Sequence, residues 1–141
     1  MKTQKFLFTL LVVAFALGPQ LLNTSRGTLA GSGGYSATLL SPTVGQVLHP
    51  GQHFTIQWKD TLPSVRYFSG CEMELWLSLD GGRTFTMWIT PILDPKTTHF
   101  DWIVSNTPTN AAVLDIRFGC EGWYPESYAP QPASTFVIAK N

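Results

Sequence analysis

Cys71 and Cys120 are the only thiols in the chain. A thiol can attack a substrate, bind a metal or form a disulfide, and the neighbours of these two favour the last. Cys71 opens a run in which Met73, Leu75 and Leu77 alternate with polar or outward positions. Cys120 closes a run in which Leu114, Ile116 and Phe118 do the same. Each cysteine falls on the apolar phase of its own run. The start of one strand and the end of another meet in an antiparallel pair, so a Cys71–Cys120 bridge is expected. Two free buried thiols are the alternative. A metal centre would need a third and fourth ligand, and none stands nearby.

Other chemistry finds less support. His49 and His53 are four apart, but Pro50-Gly51 lies between them and forbids the helix that would put both rings on one face. His99 stands alone. No Gly-x-Ser-x-Gly or His-Glu-x-x-His pattern occurs. Glu72 with Glu74, and Glu121 with Glu126, are spaced as paired carboxylates could be, but read more simply as solvated. No catalytic residue, metal or cofactor is therefore expected.

The elements that must position these residues read as strands. From Ser36 onward, short apolar runs are separated by turn residues every 8–12 positions, the rhythm of an all-β sandwich or barrel. Expected strands cover 37–40, 44–48, 53–59, 71–79, 84–90, 99–104, 112–120 and 134–139, with a hairpin turn at Asp80-Gly81-Gly82. About seven principal antiparallel strands over 36–141 fit an immunoglobulin-like or fibronectin III-like sandwich. There the Cys71 strand would be the third and the Cys120 strand the sixth, neighbours in one sheet. Setting 71 opposite 120 also sets Glu74 opposite Arg117, an opposite-charge pair on the solvent side.

Composition narrows the partners. Only 13% of the 141 residues are charged and the net charge is zero, so neither nucleic acid nor an anionic membrane surface has an electrostatic footprint to bind. At the N-terminus, Lys2 and Lys5 precede an apolar run over 6–17 that Gly18-Pro19 ends. This is the pattern of a secretory signal. Residues 1–30 are expected to be a signal peptide, or an uncleaved membrane anchor, with a small-residue linker over 23–35. No cysteine lies where a lipoprotein would need one. Asn23-Thr24-Ser25 fits a glycosylation sequon and is read as chance. Export to the periplasm, the exterior or the outer side of a membrane follows.

Two resemblances add to this. Ser41-Pro42, Gly45, Pro50-Gly51 and Phe54-Thr55-Ile56-Gln57-Trp58, then Leu75-Trp76-Leu77-Ser78-Leu79-Asp80-Gly81-Gly82-Arg83-Thr84-Phe85 and Phe100-Asp101-Trp102, resemble an extracellular immunoglobulin-like module. It is similar to that of fungal Ser/Thr-rich cell-wall proteins of the yeast cell-wall synthesis type and of many bacterial envelope proteins. Ser105 stands where that module often has proline. The resemblance implies the fold and a spacer, binding or subunit role. Residues 78–85 also resemble the Asp-box of sialidases, which implies that Asp80 serves its own turn.

The binding candidates are aromatic. The segment 121–133 carries Trp123, Tyr124 and Tyr128, with Pro125, Pro130 and Pro132 to limit its freedom. It reads as a long loop at the position where antibodies place their most variable contacts. Tyr67 and Phe68 sit on the connection 61–70, expected at the same end and anchored by the same disulfide. Trp76 and Trp88 fall on the outward phase of neighbouring strands. The expected role is a non-catalytic exported module, an accessory subunit docking on an envelope or membrane protein complex. The alternative is carbohydrate binding at the cell wall, and third comes a small secreted enzyme.

Overall fold

A computed structural model describes residues 34–140. The signal or anchor expected over 1–30 and most of the linker lie outside them. The described chain is all-β. Its strands are β1 (Ser36–Ser41), β2 (Val47–Leu48), β3 (His53–Thr61), β4 (Cys71–Ser78), β5 (Met87–Trp88), β6 (His99–Ile103), β7 (Thr109–Cys120), β8 (Tyr124–Pro130) and β9 (Phe136–Ile138). One 3-10 turn, Pro132–Ser134, precedes β9.

Two sheets form. One has the order β1-β3-β6. The other runs β2-β9-β7-β4-β5, with β8 also paired to β7. All pairings are antiparallel except β2 with β9. The period-2 alternation decides which side chains face inward. Ile56 and Trp58 from β3, Met73, Leu75 and Leu77 from β4, Leu114, Ile116 and Phe118 from β7, and Phe136 and Ile138 from β9 are buried in one core. Each such side chain contributes roughly 1.5–3 kcal/mol by leaving water.

The β4–β7 register is the expected one: Cys71 faces Cys120, Glu74 faces Arg117 and Leu77 faces Leu114. Several boundaries differ, each for a local reason. The segment 121–133 is no long loop. Its turn is only Glu121-Gly122-Trp123, closed by Trp123 N–H donating to the Cys120 carbonyl at 3.1 Å and by Gly122 at φ +73°. The chain then returns as β8. Its prolines disguise the strand, but β8 pairs with β7 alone, and proline's missing N–H costs little on an edge.

The strand expected over 84–90 shrinks to Met87–Trp88. Pro91 has no N–H to continue the ladder, and the Thr90 hydroxyl instead accepts the Leu75 amide at 3.1 Å. Tyr35, placed in the linker, belongs to the core. It is 7% exposed, lies 5.4 Å from the Phe118 ring and donates its hydroxyl to the Ile116 carbonyl at 3.1 Å. Burial pushes its pKa up, well clear of ionisation.

Candidate functional site

The disulfide is formed between register partners Cys71 and Cys120. It pins the end of the fold where the connection 62–70 enters β4 and the 121–123 turn leaves β7. A backbone bond from Glu121 N–H to the Gly70 carbonyl, 2.8 Å, ties the same two segments. The consequence is a pair of aromatics on one surface. Tyr67 and Trp123 meet edge to face with centroids 6.5 Å apart, and they are 58% and 67% exposed. Arg66 lies over the Tyr67 ring at 5.4 Å. The other two aromatics here turn inward. Phe68 packs against the core under Lys96, and Tyr124 packs on Phe118 at 5.5 Å. They support the pair rather than joining it.

A second aromatic group crosses the outer face of the larger sheet. Trp88 on β5 stacks with Trp76 on β4, with centroids 6.4 Å apart. The Arg117 guanidinium on β7 lies 4.4 Å over Trp76 and 4.8 Å over Tyr128 of β8. One strip therefore spans four strands. Arg117 does not pair with Glu74, although the two face each other across the ladder. Asp115, two residues away on the same face, holds Arg117 Nε at 2.8 Å, and Glu126 accepts from Nη1 at 3.3 Å. Glu74 instead accepts the Trp76 indole N–H at 2.8 Å. The strip roofs Asp115, which is only 2% exposed. Burial raises the Asp115 pKa, and the hydrogen bond and charge of Arg117 oppose the rise. Tyr128 donates to Glu126 at 2.9 Å, and this bond raises its own pKa.

No protein-family model matches the chain, and no curated protein matches it.

The Asp80 turn is self-contained. Its carboxylate accepts from Ser78 Oγ, from the backbone N–H groups of Arg83 and Thr84, and from Thr84 Oγ1, at 2.6–3.1 Å. These bonds hold the Asp80 carboxyl far below the usual range. Gly81 N–H reaches the Ala111 carbonyl at 2.9 Å, and a Cβ at Gly82 would lie 3.5 Å from the Val113 side chain, so the turn is docked on β7. It lies on the same strand as the disulfide but at the other end. Among the described residues no three His, Cys, Asp or Glu side chains are grouped to hold a metal ion, and no helix is long and apolar enough to cross a membrane.

Between the strip and the Tyr67–Trp123 pair lies a groove of about 760 Å³. Glu72, Glu74, Arg117, Glu121, Trp123 and Glu126 line it, with Ile92 on its rim. Sequence reasoning named Trp76, Trp88, Trp123 and Tyr128 separately and saw Arg117 only as a partner for Glu74. The signal that could have joined them is the shared outward phase of positions 74 and 76, 115 and 117, and 128. Once β8 is recognised as a strand, that phase places them side by side.

Proposed function

We propose that the protein is an exported, non-catalytic binding module with an immunoglobulin-like sandwich fold, an accessory subunit that docks on a larger protein complex of the cell envelope. The observation that carries docking is the exposed Tyr67–Trp123 pair on two segments pinned by one disulfide. Tyr and Trp dominate interface hot spots because they offer large area at little conformational cost. Anchoring at Cys71 and Cys120 lowers that cost further. The fold reading is supported by the strand order, with β1, β3 and β6 in one sheet and β4 beside β7 in the other. Export is supported by the disulfide, which persists in oxidising compartments, and by the N-terminal pattern.

The test is affinity capture of the tagged full-length chain from solubilised membranes of its own host. A stoichiometric protein partner should be held by the wild type and lost at least ten-fold with Trp123→Ala. A monodisperse monomer with no partner, or a Trp123→Ala variant that keeps it, overturns the reading. Carbohydrate binding is the second reading, favoured by the exposure of the same two rings. The wider strip supports it less, because the guanidinium of Arg117 covers one face of Trp76 and one of Tyr128. Glycan-array binding lost in Trp123→Ala, without a protein partner, would select it.

A further inference from the structure

The groove beside the disulfide has a shape and a charge that the fold does not require. Its floor includes Gly119, the outward position of β7 after Arg117. A Cβ there would lie 3.2 Å from the Glu126 Cα, so glycine lets β7 and β8 approach closely while the Gly119 backbone still borders the groove. Glu72 faces Gly119 directly across the β4–β7 ladder. Glu74, Glu121 and Glu126 complete four carboxylates against the one guanidinium of Arg117, in a chain whose net charge is zero. Arg117 is already committed to Asp115 and Glu126. Among the described residues, neither Glu72 nor Glu121 has an ion-pair partner, and both are exposed. Trp123 and Ile92, 67% and 61% exposed, give the groove apolar walls.

We infer that this groove receives an arginine-bearing segment of a protein partner, its guanidinium over Gly119 between Glu72 and Glu121 and its aliphatic stem along Trp123. The inference rests on the docking reading above and gives that partner a chemistry. Charge complementarity selects a cation: an acidic segment would meet four carboxylates at close range. The same face already displays how it holds a guanidinium. Arg117 is flanked by the rings of Trp76 and Tyr128 and held by two carboxylates. Trp123, Glu72 and Glu121 offer an incoming arginine one ring and two carboxylates. Arginine suits it better than lysine, because a planar fork can stack on an indole and bond two carboxylates at once.

The test is an amide-shift titration of the ¹⁵N-labelled full-length chain with a short, otherwise neutral peptide carrying two arginines. Parallel titrations use its lysine, citrulline and glutamate counterparts. The arginine peptide should move the amides of Gly70, Glu72, Gly119 and Gly122 at millimolar concentration, more weakly as salt rises. Lysine should bind several-fold more weakly, and citrulline and glutamate should leave those amides in place. In Glu72→Gln/Glu121→Gln, both sites being exposed, the fold should persist and the arginine peptide should bind about five-fold more weakly, in line with exposed ion pairs. Equal binding of citrulline, no shift at these amides, or an unaffected double variant overturns the inference. So does a neutral hexasaccharide that moves the same amides when the peptide does not. The two readings fail separately. If Trp123→Ala loses the captured partner while Glu72→Gln/Glu121→Gln keeps it in full, docking stands and the arginine is wrong. If Trp123→Ala keeps the partner, docking itself is wrong.

Discussion

Replacing Gln131 by alanine should separate the two sheets along one edge. Gln131 follows β8, and its own amide N–H is fixed on the Leu114 carbonyl at 2.8 Å. Its side chain then acts as a piece of strand. Oε1 accepts the Leu39 amide at 3.0 Å, while Nε2 donates to the Ala37 carbonyl at 3.0 Å and to the Ala129 carbonyl at 2.7 Å. One amide thus joins β1 of the smaller sheet to β8 of the larger. Alanine removes three neutral hydrogen bonds, each worth a net ~0.5–1.5 kcal/mol. Leu39 is only 6% exposed, so water does not fully replace its lost acceptor. A loss of about 2–3 kcal/mol is expected. Gln131→Glu sharpens the point. A carboxylate can still accept from Leu39 but turns a second oxygen on two carbonyls, so its pKa should rise above the usual ~4.3. A raised acid pKa contributes stability below the ordinary value and loses it as pH rises through the folded one. The glutamate variant should therefore be least stable, relative to wild type, at pH 7 and recover part of the difference near pH 4. Urea unfolding followed by tryptophan fluorescence at both pH values measures this, with hydrogen exchange reporting the Leu39 amide. Gln131→Ala within 0.5 kcal/mol of wild type and unchanged Leu39 protection, or Gln131→Glu as stable as wild type at pH 7, would refute the clamp.

Two further outcomes concern the pinned end and the Asp80 turn. Removing the disulfide by Cys71→Ala/Cys120→Ala opens a loop spanning 49 positions, worth about 4 kcal/mol in the chain-entropy account, so a 2–4 kcal/mol loss with a steeper denaturant slope is expected. A loss below 1 kcal/mol with an unchanged slope would show that the cross-strand contacts already fix this end. Asp80 has a depressed pKa, so its contribution is present above its ordinary value near 3.9 and lost as pH falls through the folded one. Asp80→Asn should lower stability at pH 7 and flatten its decline between pH 4 and 2; parallel pH curves for the two proteins would count against the turn's hydrogen bonds.

What could be read from the chain depended on periodicity. Alternation over 71–78 and 112–120 gave phase, the cysteines gave register, and both are the ones observed. Partner choice on the outer face was not legible, because register brings Cα atoms opposite but does not orient long side chains. Asp115 and Arg117 are i, i+2 neighbours on one face and meet there, and Trp76 takes the place beside Arg117 where Glu74 was expected. β8 was hidden by Pro125 and Pro130, which mark a loop in general but fit an edge strand. Tyr35 was hidden by its small polar neighbours. A lone aromatic carries no period, and only the packed core shows that its ring belongs to Phe118. Gln131 carries no composition signal at all, because its bridging role depends on the backbone groups of Ala37 and Leu39, distant in sequence.

The outer face keeps one feature that stability alone does not explain. Asp115 is buried, its pKa is raised by that burial, and its Oδ1 finds no donor in hydrogen-bond geometry. Buried ion pairs of this kind are often matched or exceeded by apolar residues of similar size. Register does not need the carboxylate, since the cysteines and the apolar phase already specify it. What an apolar residue at 115 could not do is grip Arg117 Nε and hold the guanidinium over Trp76 and Tyr128. A strip ordered in advance loses less side-chain freedom when a partner arrives, by roughly 0.5–1.5 kcal/mol for each side chain already fixed. On this view the disulfide and Asp115 do the same work at two places. One pre-sets the Tyr67–Trp123 end and the other pre-sets the four-strand face, with the groove bordered by Gly119 between them.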